Sequence, residues 1–132
     1  MNKINFNPNY YASVKLEEPE NSFEVIKKML TKNKNISAII CSTEFSALSA
    51  IKACNDLNYK IGKDISIITF DGALVRDLSS PPITAVSFPV KELGKRAINI
   101  LLDKNKNKNK NQSINYLAKS EIIERGSVHI VS

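Results

Sequence analysis

Two short runs of apolar, mostly β-branched residues constrain this chain more than anything else in it: SAIICS at 37–42 and ISIITF at 65–70. Each run is continuous rather than alternating, the pattern of a strand buried on both faces of a parallel sheet. Between them the spacing switches to helical. Thr43 can cap a helix in which Ala47, Leu48, Ile51, Cys54 and Leu57 share one face, and Gly62 sits in the turn before the next strand. Strand, helix and strand in this order make a right-handed βαβ unit.

The flanking segments extend the pattern. Residues 10–16 (YYASVKL) alternate weakly and read as a strand. Asn21 or Ser22 can cap the following helix, whose face is Phe23, Ile26, Met29 and Leu30 and whose pattern fades at 33–35. After Phe70-Asp71-Gly72 comes a loop over 73–82, closed by SSPP. Residues 83–88 (ITAVSF) form a further strand stopped by Pro89. Val90, Leu93, Ala97, Ile98 and Leu101 then recur at helical spacing to Asp103, and short strands are expected at 114–118 and 121–125. The segment 126–132 carries no assignable pattern, and no internal repeat is visible. Three clear parallel strands are few for a sheet covered on both sides. Either this is a small flavodoxin-like sheet or it is part of something larger.

Composition excludes several chemistries. The 132 residues suit one modest core, and the +6 formal charge suggests a nucleic-acid footprint. Lys104, Lys106, Lys108 and Lys110 lie in one Lys/Asn stretch, however, and without those four the charge falls to +2. No basic stripe remains, so 104–111 is read as a flexible, solvated loop and direct DNA contact is not expected. A lone His129 leaves no His pair for zinc, and the scattered glycines make neither a phosphate loop nor a dinucleotide fingerprint. Cys41 and Cys54 read as buried small hydrophobes. They make no disulfide framework, which points to a reducing cytoplasm. No apolar run is long enough to span a membrane, and residues 1–11 lack the apolar core of a secretory signal. No catalytic residue, metal or cofactor is expected.

From Ala38 onward the sequence resembles the C-terminal part of a LacI/GalR-family transcriptional regulator. AIICSTEFSALSAIKA (38–53) is similar to the family's strand–A-N-D–helix segment, and KIGKDISIITFDG (60–72) to its V-P-x-D-I-S-[IV]-[IV]-G-[FY]-D-D segment. SSPPITAVSFPVKELGKRAINILLD (79–103) matches the S-P-P-L-T-T-V-x-Q-P segment and the helix after it, and IIERGSV (122–128) resembles the closing L-[IV]-x-R-x-S. The resemblance implies an α/β three-layer sandwich with a mostly parallel sheet, part of a periplasmic-binding-protein-like fold. On that reading residues 1–132 are the C-terminal portion of an effector-binding domain, without the DNA-binding domain or the first half of the ligand domain. The intact protein is then expected to sense a small, sugar-like effector between two subdomains, to act on DNA only through the absent domain, and to be a cytoplasmic homodimer rather than an enzyme. A sugar-binding protein of the transport type and a small flavodoxin-like or Rossmann-type enzyme are the rival classes.

Three residues carry the expected effector site. Asp71 ends an apolar strand at the carboxyl edge of the sheet, where its carboxylate can accept from two sugar hydroxyls; otherwise it is a solvated loop cap. Thr43 stands where the resemblance places the Asn of A-N-D; its hydroxyl can hydrogen-bond a ligand, although helix capping explains it equally. Glu44, in place of the family Asp, suits a helix N-terminus without any function. Phe88 replaces a Gln that contacts effector, and either stacks on a ligand ring or fills core. Arg76 and Asp77 read as exposed loop charges. The resemblance assigns the dimer interface to Leu48 and Ile51 on the helix beginning near Glu44, and to Leu74 and Leu78 in the following loop.

Overall fold

The computed structural model describes residues 7–14, 19–71, 78–106 and 115–129. After a short 3-10 turn at Pro8–Tyr10 come α1 (Pro19–Lys32), β1 (Ala38–Cys41), α2 (Glu44–Asp56), β2 (Ser66–Phe70), β3 (Thr84–Ser87), α3 (Val90–Lys106) and β4 (Glu121–Ile123). One four-stranded sheet runs β1-β2-β3-β4, parallel across the first two junctions and antiparallel at the last. The fold is α/β with an open, mostly parallel sheet.

Register explains which side chains are buried. Cys41, Thr69, Ala85 and Ile123 form one cross-strand row, and Ile39 stands opposite Ile67 in another. Of these, Ile39, Cys41, Ile67, Thr69 and Ala85 are buried. Helix α2 packs on this face through Ala47, Ala50, Ile51, Ala53 and Cys54, and α1 packs on α2, sending Ile26 and Leu30 into the same core. Lys27 pairs with Asp56 at 2.9 Å across the two helices, and Lys52 lies over the Phe23 ring.

The opposite face differs from expectation. The SAIICS run implied burial on both sides, yet β1 alternates and Ile40 is 73% exposed. The rows Ile40–Ile68–Thr84 and Phe70–Val86–Ile122 occupy that face. No described helix packs on it, because α3 stands off with its apolar stripe in solvent. Among the described residues the helices therefore make one layer on the sheet, and the third layer of the expected sandwich is not formed by α3.

Other boundaries shift for local reasons. Helix α1 starts at Pro19, so Ser22 is a buried position inside it rather than its cap. Tyr11 has extended backbone, but residues 11–14 pair with no described strand, and neither do 115–118. A strand forms only where a ladder partner exists. Helix α3 continues through residues 104–106, which the Lys/Asn reading had assigned to a loop; Lys is a good helix former. The rest of that expected loop, 107–111, lies outside the described residues.

The segment without an assignable pattern turns out to clasp the sheet. Ser127 is fully buried; its Oγ donates to Ile67 O at 2.6 Å and accepts from the Thr84 N–H at 2.8 Å. The Ile67 N–H donates to Ser127 O at 2.9 Å, and Thr84 Oγ1 accepts from the Arg125 N–H at 2.9 Å. The Arg125 guanidinium donates to Ile83 O, and the Ser66 hydroxyl meets His129 Nδ1 at 3.0 Å. Gly62 makes room for this strap. It has φ +76, and a Cβ there would come within 2.1 Å of Gly126 O.

Candidate functional site

The three expected effector residues follow the carboxyl ends of three adjacent parallel strands. Thr43 comes two residues after β1, Asp71 directly after β2, and Phe88 directly after β3. Cys41 stands opposite Thr69 and Phe70 opposite Val86, so the strand ends are nearly level, with Asp71 on the middle strand. That edge is where open α/β sheets bind ligands.

Each residue is held by its own local chemistry. The Asp71 backbone is left-handed, φ +63, a conformation Asp tolerates better than most residues, and its N–H donates to Val86 O at 2.9 Å. This bond turns the chain out of β2 and leaves the carboxyl group exposed. Thr43 is the N-cap of α2. Its Oγ1 accepts from the Ser46 N–H at 3.2 Å and donates to Ser46 Oγ at 3.0 Å, while Ser46 Oγ accepts in return from the Thr43 N–H. The capping role is thus present, and one lone pair is left over for a ligand.

Phe88 is not core in this chain. It is about as exposed as Phe70, and the two rings stack with centroids 6.3 Å apart and planes 16° from parallel. Sequence reading passed over Phe70, which strand pairing sets opposite Val86, one step before Phe88, and no local pattern marked it. An aromatic pair beside an exposed carboxylate offers an apolar surface for a ring next to an acceptor for hydroxyl donors.

A groove of about 910 Å³ lies elsewhere, along the free edge of β1, between residues 10–14 and the helices. Thr43 and Phe45 line it, while Asp71 and Phe88 do not. It is a strand-edge gap rather than the place where the three site residues meet. Among the described residues no group of three His, Cys, Asp or Glu side chains is arranged to hold a metal, and no helix is long and apolar enough to cross a membrane. Burial pushes the Cys41 thiol up to about 11, against an opposing hydrogen bond from Ser46, and pushes Cys54 up to about 11. Both therefore stay protonated at neutral pH, the inert state of a structural cysteine.

The expected interface residues separate. Ile51 is part of the protomer's own core and Leu48 packs against that core, because the apolar stripe of α2 faces the sheet rather than solvent. Leu78 is 74% exposed, and Leu74, with Arg76 and Asp77, lies outside the described residues.

A one-sided α/β sheet with its polar and aromatic groups gathered at the carboxyl ends of parallel strands defines part of a ligand-binding domain. A family model described as "Periplasmic binding protein-like domain" matches residues 2–128, and the chain belongs to that family, in the form that LacI-type transcriptional regulators carry as their effector-binding domain. The HTH-type transcriptional repressor PurR of Haemophilus influenzae is 32% identical over 102 residues, which are 77% of this chain and 30% of that protein. A LacI family transcriptional regulator from Bifidobacterium animalis superposes with a TM-score of 0.75 at 26% identity, covering 86% of this chain and 41% of the other. The transcriptional regulator CelR in complex with cellobiose shares the fold, with a TM-score of 0.83 at 14% identity, over 94% of this chain and 37% of its own. The chain spans less than half the length of the proteins it matches.

Proposed function

We propose that the chain is the effector-binding portion of a LacI/GalR-type regulator, and that Asp71, Thr43 and Phe88 contact a small, sugar-like molecule. The observation that carries this reading is the placing of Asp71 at the carboxyl end of the middle parallel strand, flanked by Thr43 and Phe88 on the neighbouring strands. Asp71 accepts hydroxyl hydrogen bonds, Phe70 and Phe88 take the apolar face of the ring, and Thr43 adds one polar contact. The cellobiose bound to CelR supports a saccharide as the class. In the intact regulator, ligand binding favours one arrangement of the two subdomains and so changes operator affinity through a DNA reader elsewhere in the protein, with no bond made or broken. The protein acts in the cytoplasm.

Calorimetric titration with a panel of mono- and disaccharides tests this, using the chain and a full-length regulator that carries it. Asp71→Asn removes charge-assisted hydrogen bonds contributing about 1.5–3 kcal/mol each, so affinity falls tenfold or more while operator binding without effector is unchanged. An effector titration that Asp71→Asn leaves unmoved removes the residue from the site. Sequence-selective DNA binding by the isolated chain overturns the division of labour.

A further inference from the structure

The carboxyl edge of the sheet is graded from polar to apolar across its strands. After β1 stands Thr43, whose Oγ1 keeps a spare lone pair beside its capping bonds; after the middle strand Asp71 offers an exposed carboxylate; after β3 stands Phe88. Phe70, next to Asp71, sets its ring against that of Phe88, with centroids 6.3 Å apart and planes 16° from parallel. That spacing is too wide for one ring to cover the other, so part of each stays open, Phe70 at 40% exposure and Phe88 at 42%. Because the planes are nearly parallel, one ligand made of two linked rings can lie along both. A perpendicular pair would offer it one face and one edge.

A single sugar ring fills only half of such a platform. Rings joined through a bridging oxygen are spaced much as the two phenyl rings are. The polar partners, however, lie at one end only. Val86 and Ile122, which share the face of Phe70 in the sheet, are apolar, and alternation turns the Ser87 hydroxyl to the opposite face. Hydroxyls on a second sugar would therefore meet no described partner beside Phe88, whereas an aromatic ring needs none. We propose that the effector is an aryl glycoside: the sugar stacks on Phe70 and donates hydroxyl hydrogen bonds to Asp71 and Thr43, and its aromatic aglycone stacks on Phe88. This rests on the saccharide reading of the site and adds to it the class of aglycone. Phe88 is then the residue that sets specificity.

Calorimetric titration of the full-length regulator that carries the chain tests it, with matched methyl and phenyl β-glycosides of glucose, galactose and xylose, and with cellobiose. In the sugar series that the site accepts, the phenyl glycoside binds about tenfold more tightly than the methyl glycoside, through the ring area laid on Phe88. Cellobiose gains no such advantage over methyl glucoside. Phe88→Leu, which keeps apolar bulk but no ring, brings the methyl and phenyl affinities to within about a factor of two, and Phe88→Tyr keeps the preference. Circular dichroism confirms that both variants are folded, as the exposure of this side chain allows. Equal affinity for methyl and phenyl glycosides, tighter binding of cellobiose than of phenyl glucoside, or a phenyl preference that survives Phe88→Leu each overturns the aglycone assignment and leaves the saccharide reading standing. A protein that binds none of these glycosides and no free sugar overturns both.

Discussion

Replacing Ser127 by Ala removes one oxygen atom, and the structure says what that oxygen holds. Its Oγ accepts from the Thr84 N–H at 2.8 Å and donates to Ile67 O at 2.6 Å, with the side chain fully buried. The two partners are backbone groups of β3 and β2 at the amino ends of the strands, and Ala leaves both short of a bond in a place closed to water. An unsatisfied buried polar group costs about 1–3 kcal/mol. The direct pairing of β2 with β3 remains, so the expected loss is that of the bridging hydroxyl alone, about 1–3 kcal/mol. Against the usual total of about 5–15 kcal/mol this is a large fraction. Urea unfolding followed by circular dichroism measures it, at one protein concentration because association contributes to apparent stability. The midpoint moves to lower urea with the slope unchanged. A shift worth less than about 0.5 kcal/mol means that the hydroxyl is not the joint between β2 and β3, and the account of the clasp fails.

Thr43→Ala removes the capping box of α2 and costs about 1 kcal/mol of stability, whereas Thr43→Ser keeps an accepting hydroxyl and stays within a few tenths; equal loss in both variants refutes capping as the cause. Gly62→Ala places a methyl carbon 2.1 Å from Gly126 O in a left-handed backbone, and destabilises the chain by about 2–4 kcal/mol in thermal or urea melts. Burial raises the Cys41 and Cys54 thiols from 9.0 to about 11, so between those pH values the folded chain keeps protons that the unfolded chain has lost. Stability therefore falls as pH rises through that window, by up to about 1.4 kcal/mol per pH unit for each fully buried thiol. Urea midpoints at pH 8, 9 and 10 show the decline, and a Cys41→Ala, Cys54→Ala double variant flattens it.

What could be read from the sequence was what neighbouring residues decide together. The βαβ frame, the Thr43 cap and the inward stripe of α2 depend on spacings of two to four residues, and all are present. The expected strands at 10–16 and 114–118 required a distant ladder partner, which no local pattern reveals. The SAIICS run reported a core strand, but the layer over Ile40 does not come from the described residues. The site divides the same way: Asp71 was legible as the end of an apolar strand, while Phe70 gained its place only through pairing with β3. The closing Arg125-Gly126-Ser127 was visible as a family-like motif without a physical role, because its partners lie 43 and 60 residues upstream.

Those separations also set a schedule. During synthesis at about 5–20 residues per second, Thr84 and Ile67 are added roughly 2–12 s before Ser127. For that interval β2 and β3 have their ladder to pair through but not the hydroxyl that bridges their amino ends, and water stands in at that bridge. A chain stopped just before residue 127 therefore has every described helix and strand but lacks the hydroxyl bridge between the amino ends of β2 and β3.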